Sequence, residues 1–387
     1  MSRGLVGPLD QVPITLIGHP WAPIGMGEQM RSHISALSAL HLHHGVLDIF
    51  RYAGRTDAAH DAIVGTREIR EPPGGIRIFH VNGDEVDAVF AAFEARGGVL
   101  ADGYNVIVPA WELPTYPAVW AKSLQRFDEV WALSSFIQSG LAAAGIESPL
   151  IGQAVEPASG YLHQPLLPRR AFGIRESAFV LLNFFDLSSY ASRKNPEAVL
   201  ALFDRIRKAD PYADVQLVLK AKEGERGAEG WAREWAAAHG SAGRVHVLAT
   251  PLDTLGVRSL IACCDVFVSL HRAEGFGRGL GEAMALGRLA LGTDWSGNTD
   301  FLNADNGLAV RHGMVALREG DYPHWEGQHW AEPDVDHAYA LLAPVLRDPT
   351  RGRALAARGQ AAVLHSHGNR AVGLRIVDRL EAIISAA

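Results

Sequence analysis

Cysteine is scarce in this sequence of 387 residues, which contains only Cys263 and Cys264. The two are adjacent in an apolar run, which excludes a disulfide framework, and we expect core residues in a reducing compartment. No window reaches about 18 uninterrupted apolar residues, the length that crosses a bilayer. Residues 1–11 contain Gly, Pro and Asp where a signal peptide needs an apolar stretch. We therefore expect a cytoplasmic protein and leave peripheral contact with the inner face of a membrane open.

Positive charge is not in excess either. The chain has 36 Lys and Arg against 43 Asp and Glu, a formal net charge of −7. This balance argues against a broad surface for nucleic acid, so we expect no nucleic-acid partner, although a local basic pocket remains open. A hydrophobic content of 48% excludes wholesale disorder. The length predicts two or three folded domains.

Short apolar runs alternate with helical periodicity, a pattern typical of parallel sheets joined by crossover helices. The predicted fold class is therefore α/β. The predicted strands form two sets: 12–17, 46–50, 76–81, 105–108 and 129–133, then 179–184, 215–219, 245–248, 266–270 and 289–291. The proline-containing stretch 155–170 has the composition of a domain boundary. We therefore predict domains at 1–160 and 161–365, and a closing amphipathic helix within 366–387.

The most informative segment places four glycines between two carboxylates, Glu274 and Glu282. The glycines, which let backbone amides approach a ligand closely, are Gly275, Gly277, Gly279 and Gly281. A helix predicted to start near Gly281 would point its positive end at this loop, where a diphosphate would fit. Glu282 is then expected in the first helical turn, able to accept hydrogen bonds from a ribose diol. The alternative is a plain glycine turn before a helix with an ordinary first-turn carboxylate.

The stretch from Ser269 to Gly287 resembles the signature of family 4 glycosyltransferases, in which seven residues separate two glutamates. The resemblance implies a GT-B fold of two facing Rossmann-like domains, with the last helix crossing back to the first domain. It also implies a retaining glycosyltransferase that moves a hexose from a nucleoside diphosphate sugar to a glycan, lipid-linked or small-molecule acceptor. Bacterial polysaccharide or glycoconjugate synthesis is the expected setting, with no cofactor and no required metal.

The resemblance also assigns roles to residues of the donor site. Glu274 is the catalytic candidate at the donor sugar, and Glu282 is expected to bind ribose. Lys194 and Arg193 precede a predicted helix where the family binds the diphosphate, although the family separates these two cations by several residues. The remaining candidates for the nucleotide sugar are Gly25, Gly27, Gly275, Phe276, Gly277 and Asn298. For the cations the alternative is an ordinary charged helix start, and for Gly25 and Gly27 it is a tight turn.

The acceptor side departs from the family. Many members carry a histidine facing the transferred sugar where this chain has Trp111 and Glu112. Glu112 is therefore the candidate base or acceptor contact, and Trp111 is placed on the acceptor side. Asn82 and Asp84 end another predicted strand and are further acceptor-side candidates. The alternative makes Trp111 a core residue and Glu112 a capping carboxylate.

Asp334 and Asp336 have the Asp-x-Asp form that holds a divalent cation in other sugar transferases. They follow Pro333 and precede residues at helical spacing, so capping and first-turn charge explain both, and we predict no metal site. Two other functions stay open. One is a nucleotide-sugar epimerase or phosphorylase of the same fold. The other is a catalytically inactive protein that binds nucleotide or carbohydrate, which the missing histidine near Trp111 would explain.

Overall fold

The computed structural model describes residues 5, 7–55, 57–157, 164–185, 190–221 and 226–386. The chain divides into two compact units: unit 1 comprises Met1–His163 and Leu364–Ala387, and unit 2 comprises Gln164–Val363. Within the predicted boundary at 155–170, residues 158–163 lie outside the described part of the chain.

Unit 1 contains a five-stranded parallel sheet with the order β2-β1-β3-β4-β5. Its strands are β1 (Ile14–Gly18), β2 (Gly45–Asp48), β3 (Gly75–His80), β4 (Gly103–Ile107) and β5 (Glu129–Val130). Its first helices are α1 (Gly25–Ala39), α2 (Ala58–Val64), α3 (Val86–Glu94), α4 (Ala118–Leu124) and α5 (Ser135–Ala143). Every residue of β1 and β3 is buried, as expected for inner strands of a parallel sheet covered on both faces.

Unit 2 contains a six-stranded parallel sheet with the order β11-β10-β9-β6-β7-β8 and a separate antiparallel pair, β12-β13. Its strands are β6 (Phe179–Phe185), β7 (Val215–Ala221), β8 (Val245–Leu248), β9 (Val266–Ser269), β10 (Leu289–Thr293), β11 (Leu308–Val310), β12 (His312–Ala316) and β13 (His329–Pro333). Its helices are α6 (Ala191–Lys194), α7 (Pro196–Ala209), α8 (Arg226–Ala238), α9 (Thr254–Cys263), α10 (Arg278–Ala285), α11 (Val335–Arg347) and α12 (Pro349–His367), which runs into unit 1.

All ten predicted strands are present, and the α/β class is confirmed. The prediction omitted β11, β12 and β13. Strand β11 has three residues, too few for a pattern, and four of the five residues of β12 are exposed, so neither produces a buried apolar run.

The last helix, α13 (Asn369–Ala386), packs against α1 inside unit 1. The two backbones approach closely at Gly373, where an added Cβ would lie 2.5 Å from the carbonyl oxygen of Ala36. Farther along, Arg379 donates to both carboxylate oxygens of Glu129, at 2.6 and 2.8 Å. The chain thus returns to the unit that holds its first strands.

Both cysteines are buried, and burial raises the pKa of each thiol, so they are unreactive core residues, as expected. Among the described helices, none combines the length and apolar character needed to cross a membrane.

Candidate functional site

The loops after β9 and β10 meet at the carboxyl edge of the unit 2 sheet, the edge at which open α/β sheets bind ligands. Glu274 lies in the first loop, and its backbone N–H donates to the hydroxyl of Ser296 in the second at 3.0 Å. In return, the N–H of Gly297 donates to the carbonyl of Glu274 at 2.9 Å. Ser296 is buried with φ +74°, a backbone strain of about 1–3 kcal/mol, which these contacts offset.

Glu274 is held by two cations from the segment before α7. Arg193 Nη1 lies 3.3 Å from Glu274 Oε2 and also donates to the carbonyl of Ala273 at 2.9 Å. Lys194 Nζ contacts Glu274 Oε1. Burial by itself raises the pKa of Glu274, but the charges of Lys194 and Arg193 outweigh it and lower the pKa to about 2. Glu274 is therefore ionised at neutral pH.

This ion-pair group brings together three residues that the sequence assigned to different parts of the donor. Arg193 is almost fully buried, whereas the side chain of Lys194 remains 23% exposed. Lys194 can therefore reach a ligand more readily than Arg193. In the segment before them, residues 186–189, which belong to the predicted diphosphate-binding stretch, lie outside the described residues.

The glycine turn differs from the prediction in where its helix begins. Gly277 has φ +86° and caps α10, which begins at Arg278 and not near Gly281. Glu282 is therefore the fifth helical residue and not a first-turn residue. Its carboxylate pairs with Arg278 one turn earlier, Oε1 to Nε at 2.7 Å. The prediction failed because a glycine in left-handed conformation starts a helix without a capping side chain.

Two glycines allow the two loops to pack against each other. A Cβ on Gly297 would lie 2.0 Å from the carbonyl oxygen of Gly275, and a Cβ on Gly277 would lie 2.8 Å from the Cβ of Asn298. Phe276 is buried against Phe301, with ring centroids 5.3 Å apart. Of the predicted sugar-binding residues, Phe276 thus supports the turn, while Gly275 and Gly277 form its backbone.

Asn298 is fully buried and engaged at both ends of its amide. Its Nδ2 donates to the carbonyl of Thr293 at 2.8 Å, so its Oδ1 accepts from Nε2 of His271 at 2.9 Å. Nδ1 of His271 lies 3.0 Å from the hydroxyl oxygen of Ser269 and 3.1 Å from the carbonyl oxygen of the same residue. Burial lowers the pKa of His271, which is consistent with a neutral ring. The structure gives Asn298 a supporting position and not an open one for a donor contact.

His271 was not predicted to belong to the site. The available signal was a polar residue two positions after a buried strand and inside the signature stretch.

In unit 1, Gly25 and Gly27 form the first turn of α1 and not a loop before it. A Cβ on Gly27 would lie 2.2 Å from the carbonyl oxygen of Ala22 and 2.8 Å from that of His19. Gly27 is therefore required for close packing of the β1–α1 loop. Gly25 is exposed, and a Cβ there would meet nothing within 4 Å.

The acceptor-side candidates lie on the loops that follow β3 and β4. Asn82 Oδ1 accepts from the N–H of Ala110 at 3.0 Å and so ties these loops together, while Asp84 is exposed. Trp111 is a core residue: its ring is buried against Tyr116 and its indole N–H donates to the carbonyl of Thr115 at 2.8 Å.

Glu112 is half-buried beside Trp111. It lies six residues before α4, which has Pro117 at its N-cap.

A histidine–glutamate pair at the same edge of unit 1 was not predicted. His19 Nε2 lies 2.8 Å from Glu85 Oε1, and its ring stacks on Phe50 with centroids 4.4 Å apart. The N–H of Asn82 donates to the other oxygen of Glu85 at 2.9 Å. The signal was the position of His19 directly after β1, where side chains of a parallel sheet meet ligands.

The Asp-x-Asp segment has the capping geometry that was predicted. Asp334 is the N-cap of α11 and accepts from the N–H of His337 at 2.8 Å, and Asp336 pairs with Arg205. Over the part of the chain that the structure describes, no three His, Cys, Asp or Glu side chains are grouped to hold a metal ion.

Comparison with known proteins identifies the domain that carries Glu274. Residues 183–318 match the family model described as "Glycosyl transferases group 1". Unit 2 contains a group 1 glycosyltransferase domain. The glycosyltransferase class expected from the signature is thus confirmed on this domain. No curated protein sequence matches the chain.

Solved structures confirm the GT-B fold over nearly the whole length of the glycosyltransferase. HepE of Anabaena, solved with UDP and glucose, is 15% identical with a TM-score of 0.67, covering 96% of this chain and 100% of its own. Sucrose-phosphate synthase of Thermosynechococcus elongatus is 16% identical with a TM-score of 0.68, covering 97% of this chain and 100% of its own. A glycosyltransferase of Rickettsia africae is 12% identical with a TM-score of 0.65, covering 97% of this chain and 100% of its own.

Proposed function

We propose that this glycosyltransferase moves a hexose from a nucleoside diphosphate sugar to a glycan, lipid-linked or small-molecule acceptor, with retention of configuration and without a required metal. The observation that carries the proposal is the ionised Glu274, held by Arg193 and Lys194 beside the glycine turn. Bacterial polysaccharide or glycoconjugate synthesis is the proposed setting. The structure of HepE with UDP-glucose supports a uridine diphosphate donor.

The residues of unit 2 divide the donor among them in this proposal. Lys194, helped by Arg193, binds the diphosphate, whose negative charge grows as the bond to the sugar breaks. Glu274 and the amides of Gly275 to Gly277 face the sugar and offset positive charge at its anomeric carbon. Glu282 binds the ribose hydroxyls, which requires its carboxylate to share or leave Arg278.

The transfer itself needs little from protein bases. The bond from the anomeric carbon to the phosphate oxygen breaks, the acceptor hydroxyl forms the new bond on the same face, and its proton passes to the leaving phosphate. Positioning and charge stabilisation are then the main contributions of the protein. Glu112, in unit 1, is the proposed group on the acceptor side.

A thermal-shift screen against UDP, GDP, ADP and CDP tests the donor class. A ligand at about 100 times its Kd adds about 2.7 kcal/mol to the free energy of unfolding, so one diphosphate should raise Tm clearly. Saturating chelator should leave that shift and donor turnover unchanged. Absence of a shift with every diphosphate, or activity restored by manganese after chelation, would contradict the proposal.

Glu282→Ala tests the ribose contact. Loss of a charge-assisted hydrogen bond costs about 1.5–3 kcal/mol, so affinity for the diphosphate should fall roughly tenfold to a hundredfold. The matched control is Arg278→Ala, which removes the helix pair and leaves the carboxylate. Equal losses in the two variants would assign Glu282 to the stability of α10.

Donor consumption with and without acceptor separates the other functions. An epimerase converts the donor without acceptor, and a phosphorylase releases sugar phosphate. Binding of a diphosphate without any turnover would favour an inactive binding protein, a candidate that the buried Trp111 in place of the family histidine supports.

A further inference from the structure

The antiparallel β12-β13 hairpin, with its connecting residues 317–328, packs around the short helix α6 that holds Arg193 and Lys194. The hydroxyl of Ser192 donates to the carbonyl of Asp321 at 3.1 Å. The ring of Tyr322 meets that of Tyr190 edge-on, with centroids 4.8 Å apart. The guanidinium of Arg193 lies over the Tyr322 ring, 5.8 Å from its centroid.

Arg272 links the same hairpin to the same helix. Its Nε lies 2.6 Å from Glu332 Oε2 on β13, and its Nη1 donates to the carbonyl of Ser192 at 2.7 Å. Its backbone N–H donates to the carbonyl of Arg193 at 2.8 Å, and its carbonyl accepts from the N–H of Ala331 at 3.0 Å. One arginine therefore fastens α6 to β13 through four hydrogen bonds.

Helix α6 depends on such contacts because it has only four residues. An isolated helix of this length is unstable, since one turn fixes several dihedral angles for one hydrogen bond. It is also bounded by two left-handed residues that are not glycine, Tyr190 with φ +57° and Asn195 with φ +53°. Tertiary contacts must therefore hold the two cations in place.

Glu332 also supplies the carboxylate that pairs with Arg272, a third cation beside α6. Arg272 lies against the backbone of Ser192 and Arg193, whereas Glu274 is paired with Arg193 and Lys194. The three cations thus each have a carboxylate partner.

We propose that Glu332 and Tyr322 of the hairpin are positioning residues that hold Arg193 and Lys194 where they bind Glu274 and the donor diphosphate. The statement that these cations bind the donor diphosphate rests on the proposed function. The statement that the hairpin holds α6 in place does not depend on that function.

The variants are Glu332→Gln and Tyr322→Ala. Tyr322→Phe keeps the ring over Arg193 and is the conservative variant expected to retain wild-type behaviour. Glu319→Gln makes the same chemical change at an exposed carboxylate of the connecting residues and is the matched control. A cooperative thermal transition and a far-UV circular dichroism spectrum like that of the wild type establish that each variant is folded.

The first readout is hydrogen exchange at the backbone amides of Arg193 and Asn195, which donate within α6 to Tyr190 and Ala191. We expect exchange at least about tenfold faster in Glu332→Gln and Tyr322→Ala. Exchange in Tyr322→Phe and Glu319→Gln should be unchanged. The second readout is calorimetric binding of UDP and of uridine, or of the equivalent pair for the base found in the screen. UDP affinity should fall about tenfold while uridine affinity stays constant.

The outcomes separate the two proposals. Unchanged exchange in folded Glu332→Gln and Tyr322→Ala would overturn the positioning role, whatever the protein binds. Faster exchange with unchanged UDP affinity, or with equal losses for UDP and uridine, would overturn its link to the diphosphate. Failure of the wild-type protein to bind any diphosphate would refute the proposed function, while the exchange rates would still decide whether the hairpin holds α6.

Discussion

The role of a single residue in this protein depends on the residues that it contacts more than on its own type. Glu274 was predictable as a functional residue from its place in the signature, but its pairing with both Arg193 and Lys194 was not. Lys194 and Arg193 are 80 and 81 positions from Glu274 in sequence, and the pairing of β6 with β9 brings the two segments together. His271 and His19 were missed for the same reason, since a histidine's role depends on its neighbours in space.

Glu274→Gln should destabilise unit 2 in a manner that depends on pH. The pKa of Glu274 is about 2 in the folded state against 4.5 ordinarily, so its contribution is complete above pH 4.5 and is lost as pH falls towards 2. The difference amounts to roughly 3 kcal/mol at pH 7. Urea unfolding of wild type and variant at pH 7, 5 and 3.5 should show that the difference between their free energies of unfolding decreases as the pH falls.

The control for Glu274→Gln is Glu326→Gln, which changes an exposed carboxylate of the same unit. A difference in the free energy of unfolding that stayed constant from pH 7 to 3.5 would show that shape, and not charge, accounts for the effect of Glu274→Gln.

Gly27→Ala and Gly25→Ala form a matched pair on the first turn of α1. The added methyl at Gly27 would collide with two carbonyl oxygens, so we expect a loss of about 1–3 kcal/mol in the free energy of unfolding. At Gly25 the methyl meets open space, and alanine restricts the unfolded chain, so stability should be unchanged or rise by up to about 1 kcal/mol. Urea denaturation measures both, and equal effects would refute the packing argument.

At the scale of elements, buried parallel strands were predictable because they are continuous apolar runs between turns. The first residues of helices were less predictable. Helix α10 begins three residues before the predicted place because Gly277 adopts a left-handed conformation that no side-chain pattern announces. The β12-β13 hairpin was missed because its first strand is exposed, although it contacts the segment with the two cations.

The start of α11, by contrast, follows the rule for capping residues, and a pair of variants tests it. Asp334→Ala removes the acceptor for the N–H of His337 and should cost about 1 kcal/mol in the free energy of unfolding. Asp336→Ala changes a carboxylate that is 83% exposed and should have little effect. Denaturation of unit 2 measures the difference, and a larger loss from Asp336→Ala would refute the capping assignment.

At the scale of the whole molecule, most of the buried histidines in the described part of the chain lie in unit 1. Unit 1 buries His33, His44, His80 and His367, and burial lowers the pKa of each, to about 4 for His33. Nε2 of His33 donates to the Gly152 carbonyl, and the ring meets that of His80 edge-on, with centroids 4.9 Å apart, and lies near the charge of Arg375. These rings stay neutral in the folded state and take up protons on unfolding.

Unit 1 should therefore lose stability as pH falls from about 6.5 to 4. Each such histidine adds a slope of up to about 1.4 kcal/mol per pH unit, because the unfolded state binds one more proton. His33→Gln keeps a hydrogen-bonding group for Gly152 and should reduce the slope by about one proton. His43→Gln, at an exposed position, is the control. Urea unfolding at pH 7, 6 and 5 measures the slopes, and equal slopes for wild type and His33→Gln would contradict the assignment.

The packing of α13 on α1 also has a consequence for synthesis on the ribosome. Helix α13 emerges roughly 330 residues after α1, which takes tens of seconds at about 5–20 residues per second. Unit 2 is contiguous in sequence and is complete before that point. The face of α1 that α13 covers therefore stays uncovered until unit 2 has been synthesised, and unit 1 is completed only when α13 leaves the exit tunnel.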